Sequence, residues 1–421
     1  MSSTWSIAPT PSSSDNETLG GAMVTSPSSS PSWARTPRLP SAHAVTVPHP
    51  SGPLPVTSLN VSSWRPSYPA ISHFAMTDSQ EVFAVGPEGL FSFKRVNDHP
   101  SRPWSKPHIF PLVSFDTSSV SGIALHEDKS NKRLDVFCAA NGSLYNVTRT
   151  TKFVDGKPVH SFESGMFPPL ATYGVNGTPS LSFIGEDPHR GYSGRLALVV
   201  PSLFGGLLHT CTVRPNNQDY DFLDEIARKW EPVSHVATSL GMVSAVTIAP
   251  LTFHGQSGFP GCVEILAVCI AHNRLYSVKG SHYKLINKGS HPSSPDEWEG
   301  EIPERIHHPG EVKGTPVLLQ RKVMKNHLDL LVPSAAGGIF HYVQTPSTPD
   351  EWHMIARIGF PIDLPPAGSL AFYVSDEAYT SRSLGAVFEI GGRLYNIESK
   401  EGQTWSDSKL CQVTGPGPSH Y

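Results

Sequence analysis

Six times along this chain an apolar, β-prone run is followed by a Gly- or Asn-bearing turn. An aliphatic residue then comes, with an aromatic residue or histidine directly after it. The pairs are Leu90-Phe91, Leu144-Tyr145, Leu208-His209, Leu275-Tyr276, Ile339-Phe340 and Leu394-Tyr395, spaced by 54, 64, 67, 64 and 55 residues. Self-similarity at such a period marks a repeat architecture. Each unit is a small sheet with two apolar faces to cover, and closing six of them into a ring covers those faces. The pattern predicts an all-β fold, a six-bladed β-propeller.

The second unit is the plainest. Ser121-Gly122-Ile123-Ala124-Leu125-His126 reads as a first strand, and a polar loop over 127–133 follows it. Leu134-Asp135-Val136-Phe137-Cys138-Ala139 reads as a second strand and Ser143-Leu144-Tyr145-Asn146-Val147-Thr148 as a third. Between them Asn141-Gly142 supplies the two positive-φ residues of a type I′ hairpin turn. The same order returns in 316–343 and 369–397, and less completely in the other three units. Trp104, Trp230, Trp298, Trp352 and Trp405 follow the third strands and mark the start of an outer fourth strand. A tryptophan at a fixed place in a repeat is read as packing between blades. Only 222–230 has helical periodicity. The β-prone stretch Val56–Val61 is placed to add to blade 6 and help close the ring.

Residues 1–60 lack this periodicity. Runs such as Pro9-Thr10-Pro11-Ser12-Ser13-Ser14 and Ser26-Pro27-Ser28-Ser29-Ser30-Pro31 cannot bury enough apolar surface to offset their ordering entropy. The expected organisation is a disordered N-terminal tail over 1–60, the propeller over 61–415 and a flexible C-terminus over 416–421.

The net charge of −4, with lysines and arginines scattered, argues against a nucleic-acid partner. No apolar run reaches the ~20 residues that cross a bilayer, so no membrane insertion is expected. The N-terminus shows no apolar stretch of a secretory leader, which points to an intracellular location. The five cysteines are odd in number and lack CxxC spacing. They are expected as free thiols, with Cys138 and Cys269 in core strands. The sequence offers no HExxH, P-loop or GxSxG and no metal-like cysteine grouping, so neither metal nor cofactor is expected. His307-His308, before Pro309-Gly310, reads as a solvated turn. The acidic residues beside Trp298 and Trp352 read as a feature of the repeat rather than an acid/base pair.

Polar and aromatic residues concentrate in the connections between first and second strands, which the propeller register places on one face of the ring. The richest are those of blades 3 and 4. His189, Arg190, Tyr192 and His254 there offer cationic, donor and stacking groups to a polar or conjugated ligand. Nearby glycines (Gly191, Gly194, Gly255, Gly258) permit close backbone approach.

Blade 6, with Leu384-Gly385-Ala386-Val387-Phe388-Glu389, a turn, Gly392-Arg393-Leu394-Tyr395-Asn396 and Gly402-Gln403-Thr404-Trp405, resembles the repeat of the fungal fucose-specific lectins. That resemblance implies a six-bladed propeller over residues 65–415 and a carbohydrate ligand between blades, held by an Arg of the second strand, a Glu of the third and an aromatic platform. The Arg position falls near Gly385. The Glu position falls at Asn396, Asn146 and Ser277 in blades 6, 2 and 4. No blade keeps the pair, so none of the family's binding residues carries over. A second resemblance, at the level of fold, is to the fungal propellers that act as hetero-Diels–Alderases.

Three functions fit the chain. The first is a lectin-like propeller that binds a small molecule or carbohydrate through loops on one face, without hydrolytic chemistry. The second is a cofactor-free cyclase that works by proximity and preorganisation. The third is a protein-interaction scaffold.

Overall fold

The computed structural model describes residues 56–57, 69–95, 104–110, 113–129, 131–184, 195–212, 229–252, 263–282, 303–320, 327–360, 364–374, 384–399, 405 and 410–413. They form six sheets in chain order, each built on four antiparallel strands, the last carrying a fifth strand at its outer edge. Blade I comprises β2 (His73–Met76), β3 (Glu81–Gly86), β4 (Gly89–Lys94) and β5 (His108–Ile109). Blade II comprises β6 (Val120–Asp128), β7 (Arg133–Ala140), β8 (Ser143–Val154) and β9 (Lys157–Met166). Blade III comprises β10 (Ser180–Ile184), β11 (Arg195–Pro201), β12 (Leu207–Cys211) and β13 (Ser234–Val236). Blade IV comprises β14 (Val243–Thr252), β15 (Val263–Ala271), β16 (Arg274–His282) and β17 (Glu304–Ile306). Blade V comprises β18 (Val317–Gln320), β19 (Leu328–Pro333), β20 (Ile339–Thr345) and β21 (Thr348–Ile358). Blade VI comprises β22 (Leu370–Val374), β23 (Leu384–Ile390), β24 (Arg393–Ser399) and β25 (Leu410–Gln412).

The hairpin turns explain the register. Asn141 and Gly142 have φ of 50° and 75°, as a type I′ turn requires. With that turn in place Leu144 pairs with Ala139 and Tyr145 with Cys138. The equivalent pairs in blade IV are Leu275 with Ile270 and Tyr276 with Cys269. The two cysteines therefore occupy the same position in different blades. Cys138, Cys211 and Cys269 are all buried free thiols.

Alternation along each strand sends one set of side chains to the preceding blade and the other set to the next. Ala197 and Val199 pack against blade IV, whereas Leu198 and Val200 pack against blade II. Six apolar layers result, one between each pair of neighbours. The last layer joins Tyr373, Val387 and Leu394 of blade VI to Phe74, Val82 and Phe91 of blade I, so the ring is closed. The innermost strands β2, β6, β10, β14, β18 and β22 contact one another around the axis. The Ile71 N–H donates to the Gly392 carbonyl at 3.2 Å across the seam between blades I and VI.

Strand β1 (Val56–Thr57) pairs in parallel with β25 on the outer edge of blade VI, Val56 opposite Leu410 and Thr57 opposite Cys411. This is the edge to which the β-prone stretch was expected to add. The described tryptophans are packing residues. Trp230 stands edge-on to Phe137 and Phe167 of blade II, and Trp405 packs with His341 of blade V. Trp352 lies inside β21 rather than at its start. Trp298, the helical stretch over 222–228 and residues 1–55 and 414–421 lie outside the described residues. No helix among the described residues is long and apolar enough to cross a membrane.

Candidate functional site

The positions to compare are the clefts between blades. Two residues after each repeat aliphatic the chain places Ser92, Asn146, Thr210, Ser277, His341 and Asn396. All six are polar side chains in largely apolar strands. What distinguishes the clefts is how those groups are partnered.

Between blades VI and I, Arg95 of blade I reaches Glu398 of blade VI at 2.5 Å and the Tyr373 hydroxyl at 3.3 Å. The Tyr373 hydroxyl lies 2.9 Å from Asn396 Oδ1 and 2.8 Å from Glu398 Oε1 and shares its one proton between them. Burial pushes the Glu398 carboxyl up, but hydrogen bonds from Arg95 and Tyr373 outweigh it and hold the group below the usual carboxylate range. Burial pushes the Tyr373 phenol up. Gly385 stands beneath this ring. A Cβ there would sit 2.1 Å from Tyr373 Cζ. The phenol thus occupies the space that a side chain at the expected arginine position would need.

Between blades I and II, Arg149 of blade II makes a two-pronged ion pair with Glu81 of blade I and lies over the Phe83 ring. Between blades V and VI, the Trp405 indole N–H donates to His341 Nδ1 at 2.9 Å. Nδ1 is therefore an acceptor, and Nε2–H donates to Asp329 Oδ1 at 2.8 Å. Each of these clefts is stoppered by a charged or aromatic side chain from the following blade.

The cleft between blades II and III is built differently. Arg95 and Arg149 come five residues after Leu90 and Leu144; the residue at that step in blade III is Val213, which lies outside the described residues and carries no charge. The Asp135 carboxylate, on the face of β7 turned to blade III, is held from its own blade. Arg133 grips it with two bonds of 2.7 Å, and the Thr148 hydroxyl donates to it at 2.6 Å. Asn146 Nδ2 spans Asp135 and Thr148 at 3.3 and 3.2 Å, which turns Oδ1 the other way. That oxygen is buried and has no partner among the described residues. On β6, His126 pairs across from Asp135 and stacks parallel to Phe183 of blade III at 6.3 Å between centroids. Burial lowers the His126 imidazole below its ordinary value. Phe183 is 43% exposed. The cleft therefore combines an aromatic face, a fixed carboxylate–guanidinium pair and an unsatisfied acceptor.

Phe183 is one residue before the end of β10, and the connection over 185–194 that follows carries His189, Arg190 and Tyr192. That connection, and the one over 253–262 that carries His254, lie outside the described residues. Among the described residues no group of three or more His, Cys, Asp or Glu is placed to hold a metal. His307 is exposed as expected of a turn, but His308 is not solvated. It is 8% exposed, with Nδ1 2.8 Å from the Tyr342 hydroxyl and its ring edge-on to Phe340. Burial, with His307 alongside, brings its pKa down to about 4. The reason is position. The segment before Val312 is tied back to the hairpin turn of blade IV by a bond from the Val312 N–H to the Asn273 carbonyl.

Arg133, Asp135, Thr148 and Phe183 were not singled out from sequence. The available signal was Asp135, an acid within the apolar run Leu134–Ala139, opposite the polar Thr148 on the next strand.

No protein-family profile matches the chain, and no curated protein matches it. Its fold is similar to that of solved propellers. A mutant Aleuria aurantia lectin in complex with alpha-methyl-L-fucoside superposes with a TM-score of 0.50 at 9% identity, covering 84% of this chain and 100% of that one. AofleA from Arthrobotrys oligospora gives a TM-score of 0.50 at 8% identity, covering 84% of this chain and 89% of that one. At these identities the likeness is one of fold.

Proposed function

We propose that the chain is a carbohydrate-binding propeller, lectin-like and without hydrolytic chemistry, which holds a single saccharide in the cleft between blades II and III. The observation that carries this reading is that one cleft holds both the buried Asn146 Oδ1, unpartnered among the described residues, and the exposed Phe183 ring, while the residue five positions after Leu208 is the uncharged Val213. A sugar has an apolar ring face for Phe183 and hydroxyl donors for Asn146. An aromatic platform with a few fixed polar groups is what such a ligand requires. His189, Arg190 and Tyr192 belong to the connection that starts directly after β10, and we assign them, with His254 of the next blade, to the rim of the site. The fold similarity to a propeller solved with a bound fucoside supports the class of ligand. The plugged clefts between blades VI–I, I–II and V–VI support one site rather than a repeated set.

Glycan-array screening of wild type, Phe183→Ala and Asn146→Ala tests this. Both substitutions should weaken binding about tenfold or more, from loss of stacking and of a buried hydrogen bond. A glycan bound equally by wild type and both variants would place the site elsewhere.

A further inference from the structure

The ring encloses a second space that is independent of the blade II–III cleft. A cavity of about 180 Å³ lies where the six innermost strands meet. Its wall is uneven. Blades I and II contribute apolar side chains, Phe74 and Ile123 among them. Blades III to VI contribute the hydroxyls of Thr178, Ser180, Thr247, Thr315 and Ser369. Among the described residues no ionisable side chain lines it.

The hydroxyl protons are the informative feature. Thr178 Oγ1 and Thr315 Oγ1 meet at 3.0 Å, so one of the two donates and the other keeps a proton to give. The Ser180 hydroxyl oxygen accepts from the Ile248 N–H at 3.1 Å, and that of Thr247 accepts from the Leu318 N–H at 3.1 Å. Each of these two hydroxyls is engaged as an acceptor between neighbouring blades and retains its own O–H. Ser369 is 4% exposed; its hydroxyl has no hydrogen bond among the described residues, and the oxygen is open to the cavity rather than sealed in the fold. A serine or threonine hydroxyl is one donor and two acceptors, so each of these groups has a proton to offer a ligand in the cavity. The cavity therefore combines hydroxyl donors from blades III to VI with apolar side chains from all six blades, and among the described residues no charge to balance an ion.

We propose that this axial cavity is a binding site for a small neutral molecule with a carbonyl or ether oxygen on an apolar ring. The oxygen takes the free protons of Ser369, Thr247 and Ser180, and the ring lies against Phe74 and Ile123. The volume equals roughly six water molecules at ~30 Å³ each, which limits the occupant to a single small ring.

Cyclohexanone and cyclohexylamine, protonated at neutral pH, are matched probes of this shape. Saturation-transfer NMR on the full chain should show contact with the ketone and none with the ammonium, because a cation in this wall has no counter-charge. Ser369→Ala, which breaks no hydrogen bond seen within the fold, should weaken ketone binding about tenfold with an unchanged melting temperature. Phe183→Ala should leave ketone binding unchanged, which separates this site from the saccharide cleft. Three results would overturn the proposal: no transfer to cyclohexanone, equal transfer to both probes, or full binding in a folded Ser369→Ala. If that variant does not fold, the wild-type ketone-to-ammonium comparison decides, and a crystal soaked with ketone that shows only waters on these hydroxyls decides against.

Discussion

Replacing Trp405 by phenylalanine removes one hydrogen-bond donor from a place where water cannot substitute for it. Trp405 is 4% exposed and its Nε1 lies 2.9 Å from His341 Nδ1, which is itself buried. The variant keeps a ring near Phe372 and leaves Nδ1 without its donor. Stranding a buried acceptor costs about 1–3 kcal/mol, and the smaller ring adds about 1 kcal/mol of lost packing. Trp352 supplies the control. Its Nε1 is buried with no partner among the described residues, so Trp352→Phe makes the same change of ring without breaking a bond. Urea denaturation should show a lower midpoint for Trp405→Phe at unchanged m-value. Its loss should exceed that of Trp352→Phe by about 2 kcal/mol. Equal losses in the two variants would refute the view that an oriented histidine, rather than apolar contact alone, joins blades V and VI.

Three further outcomes are expected. The folded His308 stays neutral down to about pH 4, whereas the unfolded chain takes up this proton near 6.5. Stability is therefore complete above about pH 6.5 and falls as the pH drops towards 4, by roughly 1.5–3 kcal/mol after solvent screening; urea midpoints at pH 7 and 4.5 should show the loss in wild type and a smaller one in His308→Gln. Gly385→Ala drives a methyl into Tyr373 and disturbs its bonds to Asn396 and Glu398, at a cost of about 2–3 kcal/mol; combination with Tyr373→Ala should be markedly less than additive in a thermal-shift cycle. Burial raises the Cys138 and Cys269 thiols far from reactivity, so native alkylation should spare both, and intact mass without reduction should find five free thiols; a bridge in stoichiometric amount would contradict this.

The architecture was legible because its determinants are local. Asn141-Gly142 specifies a hairpin, the hairpin sets Leu144 against Ala139, and the repeat of that pair counts the blades. The site was less legible because its residues meet only through the ring. Asp135 and Phe183 are far apart in the chain, and nothing local says that β7 and β10 face one another. The same limit hid Arg95 and Arg149, whose partners Glu398 and Glu81 belong to the preceding blade. Gly385 was recognised as a departure from the lectin repeat, but the cause, the Tyr373 ring in the space above it, is visible only across two strands. His308 was misjudged because Pro309-Gly310 marks a turn correctly and says nothing of what the turn rests against. His189, Arg190, Tyr192 and His254 remain assignments from sequence.

The most direct test of the account is the stoichiometry of saccharide binding. Isothermal titration of the full chain with the best glycan from the array should give one site per chain, with affinity lost in Phe183→Ala and in Asn146→Ala and retained in Arg95→Gln, whose cleft is already filled. A stoichiometry of several sugars per chain, unaffected by Phe183→Ala, would contradict a single site between blades II and III.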